Sequence, residues 1–299
     1  MTVEGEVLSS LKIDLPVEGL APAKLTKWLK VGETDESGYH QIESEMVTVS
    51  LFDHVKLTDG EGISINDPLG VLAERKDSVG EVPTDSSNIV HAALSACGVR
   101  AHASVDKQIP QGAGLGGGSA DAACVLRLLG RTDDLGLALK LGSDVPFCLA
   151  GGRALVTGRG EKVEYLEFEH EEFALILLPF GISTKDVYRA FDDLGGKGTN
   201  HLLNAAKAVS PQLNSVYLEL CRIVGLEPHL AGSGSSLYYG LDGIDWDDLV
   251  TILTEGATPD SKGRYSFALS GVRATMLRVR TTPPALESRT PDMVPNEFL

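Results

Sequence analysis

Basic residues are scarce in this chain of 299 residues. Lysine and arginine together number 26, against 42 aspartates and glutamates, which gives a formal net charge of −16. Proteins that bind nucleic acid or anionic membranes in general need a basic surface. We therefore expect neither as a partner, whereas a small phosphorylated ligand needs only a local site.

Cysteines and long apolar runs are also few. The chain has four widely spaced cysteines, Cys97, Cys124, Cys148 and Cys221. None has the spacing of a zinc site, so we expect free thiols in a reducing compartment. The most apolar run, 173–180, is shorter than the roughly 20 residues that span a bilayer. The N-terminal sequence lacks the basic start and apolar core of a signal peptide. These features predict a cytoplasmic protein.

Glycine, by contrast, is concentrated in one short stretch. Five glycines fall within seven residues: Gly112, Gly114, Gly116, Gly117 and Gly118. Because glycine costs conformational entropy, such a cluster indicates a backbone that turns tightly and leaves its N–H groups bare. A helical pattern follows over 120–129, with Ser119 as its expected cap. A glycine loop that leads into a helix N-terminus predicts an anion site, most simply for phosphate.

Two common phosphate loops do not fit this stretch. A Walker A loop needs a lysine after its last glycine, and Ser119 stands there instead. The glycines formally satisfy the dinucleotide fingerprint G-x-G-x-x-G. However, Pro110 interrupts the approach from a strand, and no β-branched run precedes an acidic residue about 20 positions further on. An ordinary loop to a helix would not require so many glycines.

The pattern along the rest of the chain favours an α+β fold, because strands come in clusters with helices between them. Residues 67–85 are polar and rich in turn residues, which predicts a surface loop. An acidic run near 161–172 is the expected domain boundary. We therefore predict an N-terminal domain over 1–168 that contains the glycine loop, a C-terminal domain over 169–280 and a loose tail over 281–299, which holds four prolines.

Several motifs resemble one kinase superfamily. Residues 110–120 are similar to the ATP loop of the kinases named for galactose, homoserine, mevalonate and phosphomevalonate, and 21–25 and 230–235 resemble that superfamily's first and third motifs. Residues 38–40 (Gly-Tyr-His) and 141–147 resemble the branch that acts on 4-diphosphocytidyl-2-C-methyl-D-erythritol in non-mevalonate isoprenoid precursor synthesis. The resemblance implies a two-domain small-molecule kinase fold with the active site in the cleft between domains. It also implies ATP and Mg²⁺ as cofactors and phosphorylation of the substrate's 2-hydroxyl.

The resemblance assigns an ATP site. Its expected members are Pro110, Gly112, Gly114, Leu115, Gly116, Gly117, Gly118 and Ser119, with Asn88 and Lys107 near the adenosine. Ser119 can cap the helix, contact phosphate or contact magnesium, and no residue is assigned as a metal ligand. Asn88 and Lys107 are equally compatible with a helix cap and a surface charge.

Lys24 and Asp144 form the expected catalytic pair. In the superfamily the residue that matches Asp144 is the base, and the lysine that matches Lys24 lies beside it. A lysine at hydrogen-bond distance keeps a carboxylate ionised and orients the hydroxyl. The alternative is that Asp144 caps a short helix and Lys24 is a solvated strand residue. Their joint occurrence in matched motifs favours catalysis.

The expected substrate-binding residues are Tyr39, His40, Tyr188 and Thr26. An aromatic face and edge hydrogen bonds suit a cytosine ring. The alternatives are a Tyr39 packed on the core beside a solvated His40, and a Tyr188 on the core face of a helix. Thr26 and Ser37 depart from the family's usual asparagine and aspartate, and 27–28 is less apolar, which predicts a reshaped diphosphate or erythritol pocket.

Two rival functions stay open. One is another alcohol kinase of the superfamily, of homoserine or mevalonate type, which the Gly-Tyr-His element at 38–40 disfavours. The other is a nucleotide-binding regulator without catalysis, which the retained Lys24 and Asp144 disfavour. The sequence indicates no oligomeric state.

Overall fold

The computed structural model describes residues 14–36 and 38–285. The predicted departure at Ser37 and the predicted tail beyond residue 285 lie outside this range. Within it the chain is a mixed α+β protein with two β-sheets, as the sequence predicted. No helix in this part of the chain has the length and apolar character to cross a membrane.

The first sheet is formed by the N-terminal half. Its strands are β1 (Val17–Thr34), β2 (His40–Thr58), β3 (Gly62–Asn66), β4 (His102–Asp106), β5 (Arg153–Gly158) and β6 (Lys162–Tyr165). They lie in the order β3-β4-β2-β5-β6, and β1 pairs with β2 off this path. All pairs are antiparallel except β3 with β4.

The second sheet is formed by the C-terminal half. Its strands are β7 (Glu172–Leu177), β8 (His229–Leu230), β9 (Leu237–Gly240), β10 (Tyr265–Leu269) and β11 (Val272–Arg280). Their order is β10-β11-β7-β9-β8, antiparallel throughout.

The helices pack against these sheets. In chain order they are α1 (Lys76–Val79), α2 (Ile89–Ala96), α3 (Gly117–Leu128), α4 (Leu135–Leu141), α5 (Val145–Ala150), α6 (Thr184–Leu194), α7 (Leu203–Val209), α8 (Pro211–Val224) and α9 (Trp246–Thr254). Helix α3 follows the glycine loop and packs on β1 and against α2 and α5. Residues 67–85, predicted as a surface loop, contain a 3₁₀ turn (Ala73–Arg75) and α1, and Arg75 is buried.

Strand β7 joins the two hydrophobic cores. Phe173 and Leu175 belong to the core of the first sheet, whereas Ala174 and Ile176 belong to the core of the second. Alternate side chains of a strand point to opposite faces, so a strand covered on both sides has a continuous apolar sequence. The cores therefore meet across β7, and the domain boundary predicted at residue 168 stays a prediction.

The first residues of the predicted tail are attached to the N-terminal half. Thr281 forms a bridge with Val49 of β2, and the Thr282 N–H donates to the Thr48 carbonyl at 2.9 Å. The Ala285 N–H donates to the Ala150 carbonyl at 2.7 Å. These contacts fix the chain up to the last residues described.

Candidate active site

A cavity of about 1080 Å³ lies between the two halves of the protein. It is lined by β1, by the glycine loop (110–118), by the start of α6 and by Gly232 and Ser233 of the third motif (230–235). Every residue predicted for the ATP, catalytic and substrate sites lines this one cavity. The structure thus brings them together, while their individual roles stay predictions.

The glycine loop needs its glycines for close packing as well as for its turns. Gly114 and Gly116 have φ angles of 77° and 69°, which disfavour any residue with a Cβ. A Cβ at Gly114 would collide with the Ala231 carbonyl oxygen of the third motif. One at Gly116 would lie 2.7 Å from Cγ of Lys24. The loop is therefore held between β1 and the third motif.

Helix α3 begins earlier than the sequence predicted. Gly116 occupies the N-cap position in a left-handed conformation, and Gly117 is the first helical residue. The prediction that Ser119 caps the helix is wrong, because the two glycines before it already have helical conformation. Ser119 instead lies in the first turn of the helix and lines the cavity, beside first-turn N–H groups that have no partner within the helix.

Lys24 and Asp144 face each other in the cavity. Lys24 Nζ lies 3.3 Å from Asp144 Oδ2, and the two side chains are 7% and 30% exposed. Lys24 also donates to Thr26 Oγ1 at 3.3 Å. Asp144 precedes α5, but its side chain makes no cap hydrogen bond. The alternatives of a capping aspartate and a solvated lysine therefore do not hold.

Two bulges in β1 bracket Lys24. The register with β2 shifts between Pro22 and Ala23 and again after Thr26, and bulges of this kind redirect the side chains beside them. The backbone N–H of Lys24 donates to the Leu115 carbonyl of the glycine loop at 2.9 Å. Strand β1 thus positions the lysine and the loop relative to each other.

Lys107 is buried in a cluster with two carboxylates. Its ammonium group contacts Asp53 on β2 and lies 2.6 Å from Asp121 Oδ2 on α3. The alternative of a surface charge is therefore wrong. Asp53 Oδ1 also accepts from the N–H groups of Gln108 and Ile109, at 2.6 and 2.8 Å. The cluster connects β2, α3 and the segment that enters the glycine loop.

The pKa values of Lys107 and Asp121 in this cluster are both raised. Burial opposes the charge of Lys107, but the charges of Asp121 and Asp53 outweigh it and raise the pKa of Lys107 above its usual value. Burial, with the charge of Asp53, raises the pKa of Asp121 to about 8. Oδ1 of Asp121 is buried without a hydrogen-bond partner. One ammonium group therefore faces two carboxyl groups, of which Asp121 is the one that favours the neutral form.

Asn88 acts as a helix cap and also lines the cavity. Its Oδ1 accepts from the Val90 N–H at 2.8 Å at the start of α2, and its amide donates to the Pro83 carbonyl at 2.6 Å. The capping alternative for Asn88 is thus confirmed. Its amide group fixes residue 83, which also borders the cavity.

The aromatic wall of the cavity is formed by Tyr39, His40 and Tyr188. The His40 ring stacks on Tyr188, with centroids 5.5 Å apart at 27°. His40 Nδ1 lies 2.8 Å from the Gly32 carbonyl oxygen, and Nε2 lies 2.8 Å from Asp192 Oδ1. The imidazole is therefore held from both sides, and His40 is not a freely solvated side chain.

The two tyrosines of this wall differ in exposure. Tyr39 is 55% exposed and lies under the guanidinium of Arg159 at 4.5 Å. Tyr188 packs on the second core, as its core-face alternative predicted, and it also lines the cavity; its role in substrate binding stays a prediction. Burial, with the charge of Asp144, raises the pKa of Tyr188 above its usual value.

The cavity carries more positive than negative side chains although the chain is acidic. Asp121, Asp144 and Asp192 line it together with five cationic residues, Lys24, Lys107, Arg159, Lys185 and Arg189. Positive charge in a cleft with low-dielectric walls concentrates anionic ligands. Arg159 and Asp192 also line the cavity but were not predicted, because a Gly-Arg-Gly turn and a helical aspartate carry no local signal of a ligand.

Comparisons with known proteins identify the family. The family model of the GHMP kinases N terminal domain matches residues 86–152. The 4-diphosphocytidyl-2-C-methyl-D-erythritol kinase of Carboxydothermus hydrogenoformans is 33% identical over 257 residues, covering 73% of this chain and 86% of that protein. The same-named kinase of Brevibacillus brevis is 40% identical over 188 residues, covering 56% of this chain and 60% of its own length.

A solved structure of the same-named kinase also resembles this chain. A 4-(cytidine 5'-diphospho)-2C-methyl-D-erythritol kinase is 30% identical, with a TM-score of 0.56, and the match covers 74% of this chain and 89% of that one. The mevalonate kinase of L. major matches 92% of the chain at a TM-score of 0.58 but is only 14% identical, so it supports the fold alone. The resemblance inferred from the motifs is confirmed, and the chain belongs to the 4-diphosphocytidyl-2-C-methyl-D-erythritol kinase family of the GHMP kinases.

Proposed function

We propose that this protein transfers the γ-phosphoryl group of ATP to the 2-hydroxyl of 4-diphosphocytidyl-2-C-methyl-D-erythritol, in non-mevalonate isoprenoid precursor synthesis. The observation that carries the proposal is the Lys24–Asp144 pair, with Nζ and Oδ2 3.3 Å apart, in one cavity with the glycine loop and the aromatic wall. Family membership supports both the reaction and the acceptor. We further propose a cytoplasmic enzyme that binds neither nucleic acid nor membranes.

The glycine loop and the start of α3 are the proposed phosphate cradle. Free N–H groups of the first helical turn and the positive end of the helix dipole favour anions. A Cβ at Gly114 would collide with the Ala231 carbonyl, and one at Gly116 would collide with the Lys24 side chain, so neither position accepts a larger residue. Residues 110–119 therefore hold the ATP phosphates, and Asn88 lies on the adenosine side. Lys107 supports the cradle indirectly, because its ammonium group links Asp53 on β2 to Asp121 on α3, the helix that follows the loop.

Asp144 is the proposed general base. Its carboxylate accepts the proton of the substrate's 2-hydroxyl as the oxygen forms a bond to the γ-phosphorus and the bond from that phosphorus to the bridging oxygen of ADP breaks. The ammonium group of Lys24, 3.3 Å from that carboxylate, offsets negative charge as the phosphoryl group moves. Thr26 accepts from Lys24 Nζ and so orients the ammonium group.

Magnesium fits the donors of this cavity. Mg²⁺ usually keeps several waters and takes few protein ligands beside substrate phosphates. The described residues contain no cluster of three or more His, Cys, Asp or Glu side chains that would form a cage. The Ser119 hydroxyl, next to the cradle, is the proposed protein contact. When bound, the ion would neutralise charge on the phosphate oxygens.

The aromatic wall is the proposed cytosine site. Tyr39 and Tyr188 offer ring faces for stacking. His40 stacks on Tyr188, and its ring is fixed by the Gly32 carbonyl and Asp192. Arg159, over Tyr39, adds positive charge for a diphosphate.

Turnover with a panel of alcohols tests the proposal. The protein is incubated with ATP, Mg²⁺ and either the cytidyl substrate, mevalonate or homoserine, and ADP release is measured. We expect ADP release with the cytidyl substrate only. Turnover of mevalonate or homoserine without the cytidyl compound would show that the acceptor is wrong, and absence of ADP release with every alcohol would contradict a kinase altogether.

A further inference from the structure

Arg75 is a buried cation behind the glycine loop. Its side chain lies in the 3₁₀ turn before α1 and is 2% exposed. Burial lowers the pKa of Arg75 to about 10, with Glu74 acting in the opposite direction, so the guanidinium is still charged at neutral pH. Among the residues described, no carboxylate forms an ion pair with it. Burying an unpaired charge is costly, which calls for a reason beyond packing.

The guanidinium binds three separate segments of the chain. Nη1 donates to the Gln111 carbonyl at 3.0 Å and lies 3.5 Å from Ser235 Oγ. Nη2 donates to the Leu178 carbonyl, just after β7. Gln111 belongs to the glycine loop and Ser235 to the third motif. One side chain therefore links the loop to both parts of the C-terminal half that surround it.

Backbone hydrogen bonds connect the same segments. The Gly112 carbonyl accepts from the N–H groups of Ile182 and Ser235, at 3.0 and 3.1 Å. The Ala113 carbonyl accepts from the Ser236 N–H at 3.1 Å, and Ser235 Oγ donates to the Phe180 carbonyl at 2.5 Å. The position of the glycine loop thus depends on contacts that cross from one half of the protein to the other.

The turn that carries Arg75 packs tightly against this junction. Ser78 Oγ accepts from the Gly181 N–H at 2.8 Å and donates to the Arg75 carbonyl at 2.9 Å. A Cβ at Gly112 or Gly181 would lie 2.8 or 2.6 Å from Cγ1 of Val79. Residues 75–79 therefore form a fixed support behind the loop and leave no space for a larger residue at either glycine.

Arg75 does not itself line the cavity, whereas Gln111 and Gly112, the residues in front of it, do. We propose that Arg75 is a positioning residue for the nucleotide: its guanidinium fixes the glycine loop against the third motif and thereby shapes the phosphate cradle. The positive charge behind the loop also favours bound phosphates, because charges act more strongly in the protein interior than in water. The inference rests on the proposed function only in taking a nucleoside triphosphate as the ligand.

The variant Arg75→Met tests this role, because it keeps the length of the side chain and removes its charge and donors. We expect the dissociation constants of ATP and ADP to rise about tenfold or more, since an interaction worth about 1.4 kcal/mol is lost. Adenosine, which lacks phosphates, should bind as in the unchanged protein to within about twofold. Equilibrium titration measures all three affinities without any acceptor alcohol.

Arg127→Met is the matched control. Arg127 also donates to main-chain carbonyls, those of Cys148 and Leu20 at 2.7 and 2.9 Å, but it does not line the cavity. It should lose stability without losing ATP affinity. Equal losses of ATP and adenosine affinity in Arg75→Met, or ATP affinity equal to that of Arg127→Met, would overturn the proposal.

Arg75→Lys keeps the charge but cannot reach all three acceptors, and it covers the case in which Arg75→Met does not fold. We expect its ATP affinity to fall by about threefold, which lies between the unchanged protein and Arg75→Met. Unchanged ATP affinity in Arg75→Lys would overturn the role of the guanidinium. These binding results are separate from the kinase assay: loss of phosphate-selective binding would support Arg75 even if the cytidyl compound were not phosphorylated.

Discussion

The glycine-loop wall and the aromatic wall of the cavity are built in different ways. The surface of the glycine-loop wall is mainly backbone. The charged side chains that support it are buried in clusters, such as Lys107 with Asp53 and Asp121. The aromatic wall consists of side chains from separate elements, and Tyr39 and Asp192 within it are more than half exposed. A substitution in the first wall should therefore affect stability and chemistry together, whereas one in the second should mainly affect substrate binding.

Asp144→Asn should have the largest effect on turnover, because it removes the proposed general base. It should leave ATP binding nearly unchanged, so it separates chemistry from binding. Loss of a positioned general base costs about 10²–10⁴-fold in rate, so kcat should fall by that range. The ATP dissociation constant should change by less than about threefold, because the cradle is formed by backbone N–H groups. Rapid-quench turnover and ATP titration measure the two quantities.

Asp248→Asn, an exposed aspartate of α9 that does not line the cavity, is the control and should match the unchanged protein. Full turnover in Asp144→Asn would refute the role of Asp144 as base and would leave its contact with Lys24 as a structural one.

Gly114→Ala tests the rigidity of the glycine-loop wall. The Cβ would collide with the Ala231 carbonyl, so we expect ATP binding to be lost and the free energy of unfolding to fall. Gly130→Ala is the matched control, since Gly130 has a φ of 70° and nothing within 4 Å of its Cβ position. The control carries only the left-handed strain of about 1–2 kcal/mol.

Urea unfolding separates the two contributions. Overpacking should cost Gly114→Ala about 1–3 kcal/mol more than Gly130→Ala. If the two variants lose equal stability and both bind ATP, the close contact with the third motif does not shape the site.

Tyr39→Ala tests the aromatic wall. Stacking of a base on an aromatic ring is worth about 1–3 kcal/mol, so KM for the cytidyl substrate should rise about tenfold. The KM for ATP and the melting temperature should hardly change, because Tyr39 is 55% exposed. Tyr165→Ala on β6, at 50% exposure and outside the cavity, is the control. A rise in both KM values would mean that the two walls are not independent.

Features set by the local sequence could be predicted, whereas features set by contacts between remote segments could not. The α+β class follows from clustered strands with helices between them, and the phosphate loop follows from the local cluster of glycines. The pairing of Lys24 with Asp144 follows from the resemblance to the kinase superfamily. The start of α3 lies a few residues before the predicted one, because glycine is a poor helix former and the sequence pattern places the first helical turn after Ser119.

The supporting residues could not be predicted, because their partners are remote in sequence. Arg75 contacts Ser235, 160 positions away, and Asp53 contacts Lys107, 54 positions away. Arg75 lies in a polar turn and Asp53 in an ordinary strand. Burial of Arg75 depends on how the two halves pack, and burial of Asp53 depends on packing within the N-terminal half. Strand order and the shared role of β7 are likewise decided by tertiary contacts.

Asp121 offers the mildest test of the glycine-loop wall, through the pH dependence of stability. Its pKa is raised in the folded state, from 3.8 to about 8, chiefly by burial. The folded protein therefore binds more protons than the unfolded chain between these values, and stability from this group is full below about pH 4 and is lost as the pH rises to about 8. The charged or titratable groups that interact with it are Lys107, Asp53 and the buried thiols of Cys124 and Cys148.

In Asp121→Asn this titration is absent, so stability should fall less steeply between pH 5 and 8 than in the unchanged protein. Urea unfolding at several pH values gives the two slopes, with Asp248→Asn as an exposed control whose slope should match that of the unchanged protein. Equal slopes in all three proteins would mean that Asp121 is ionised throughout, so that the cluster beneath the glycine loop carries a net negative charge. The phosphate cradle would then need the charge of Arg75 all the more, and the loss of ATP affinity in Arg75→Met should exceed tenfold.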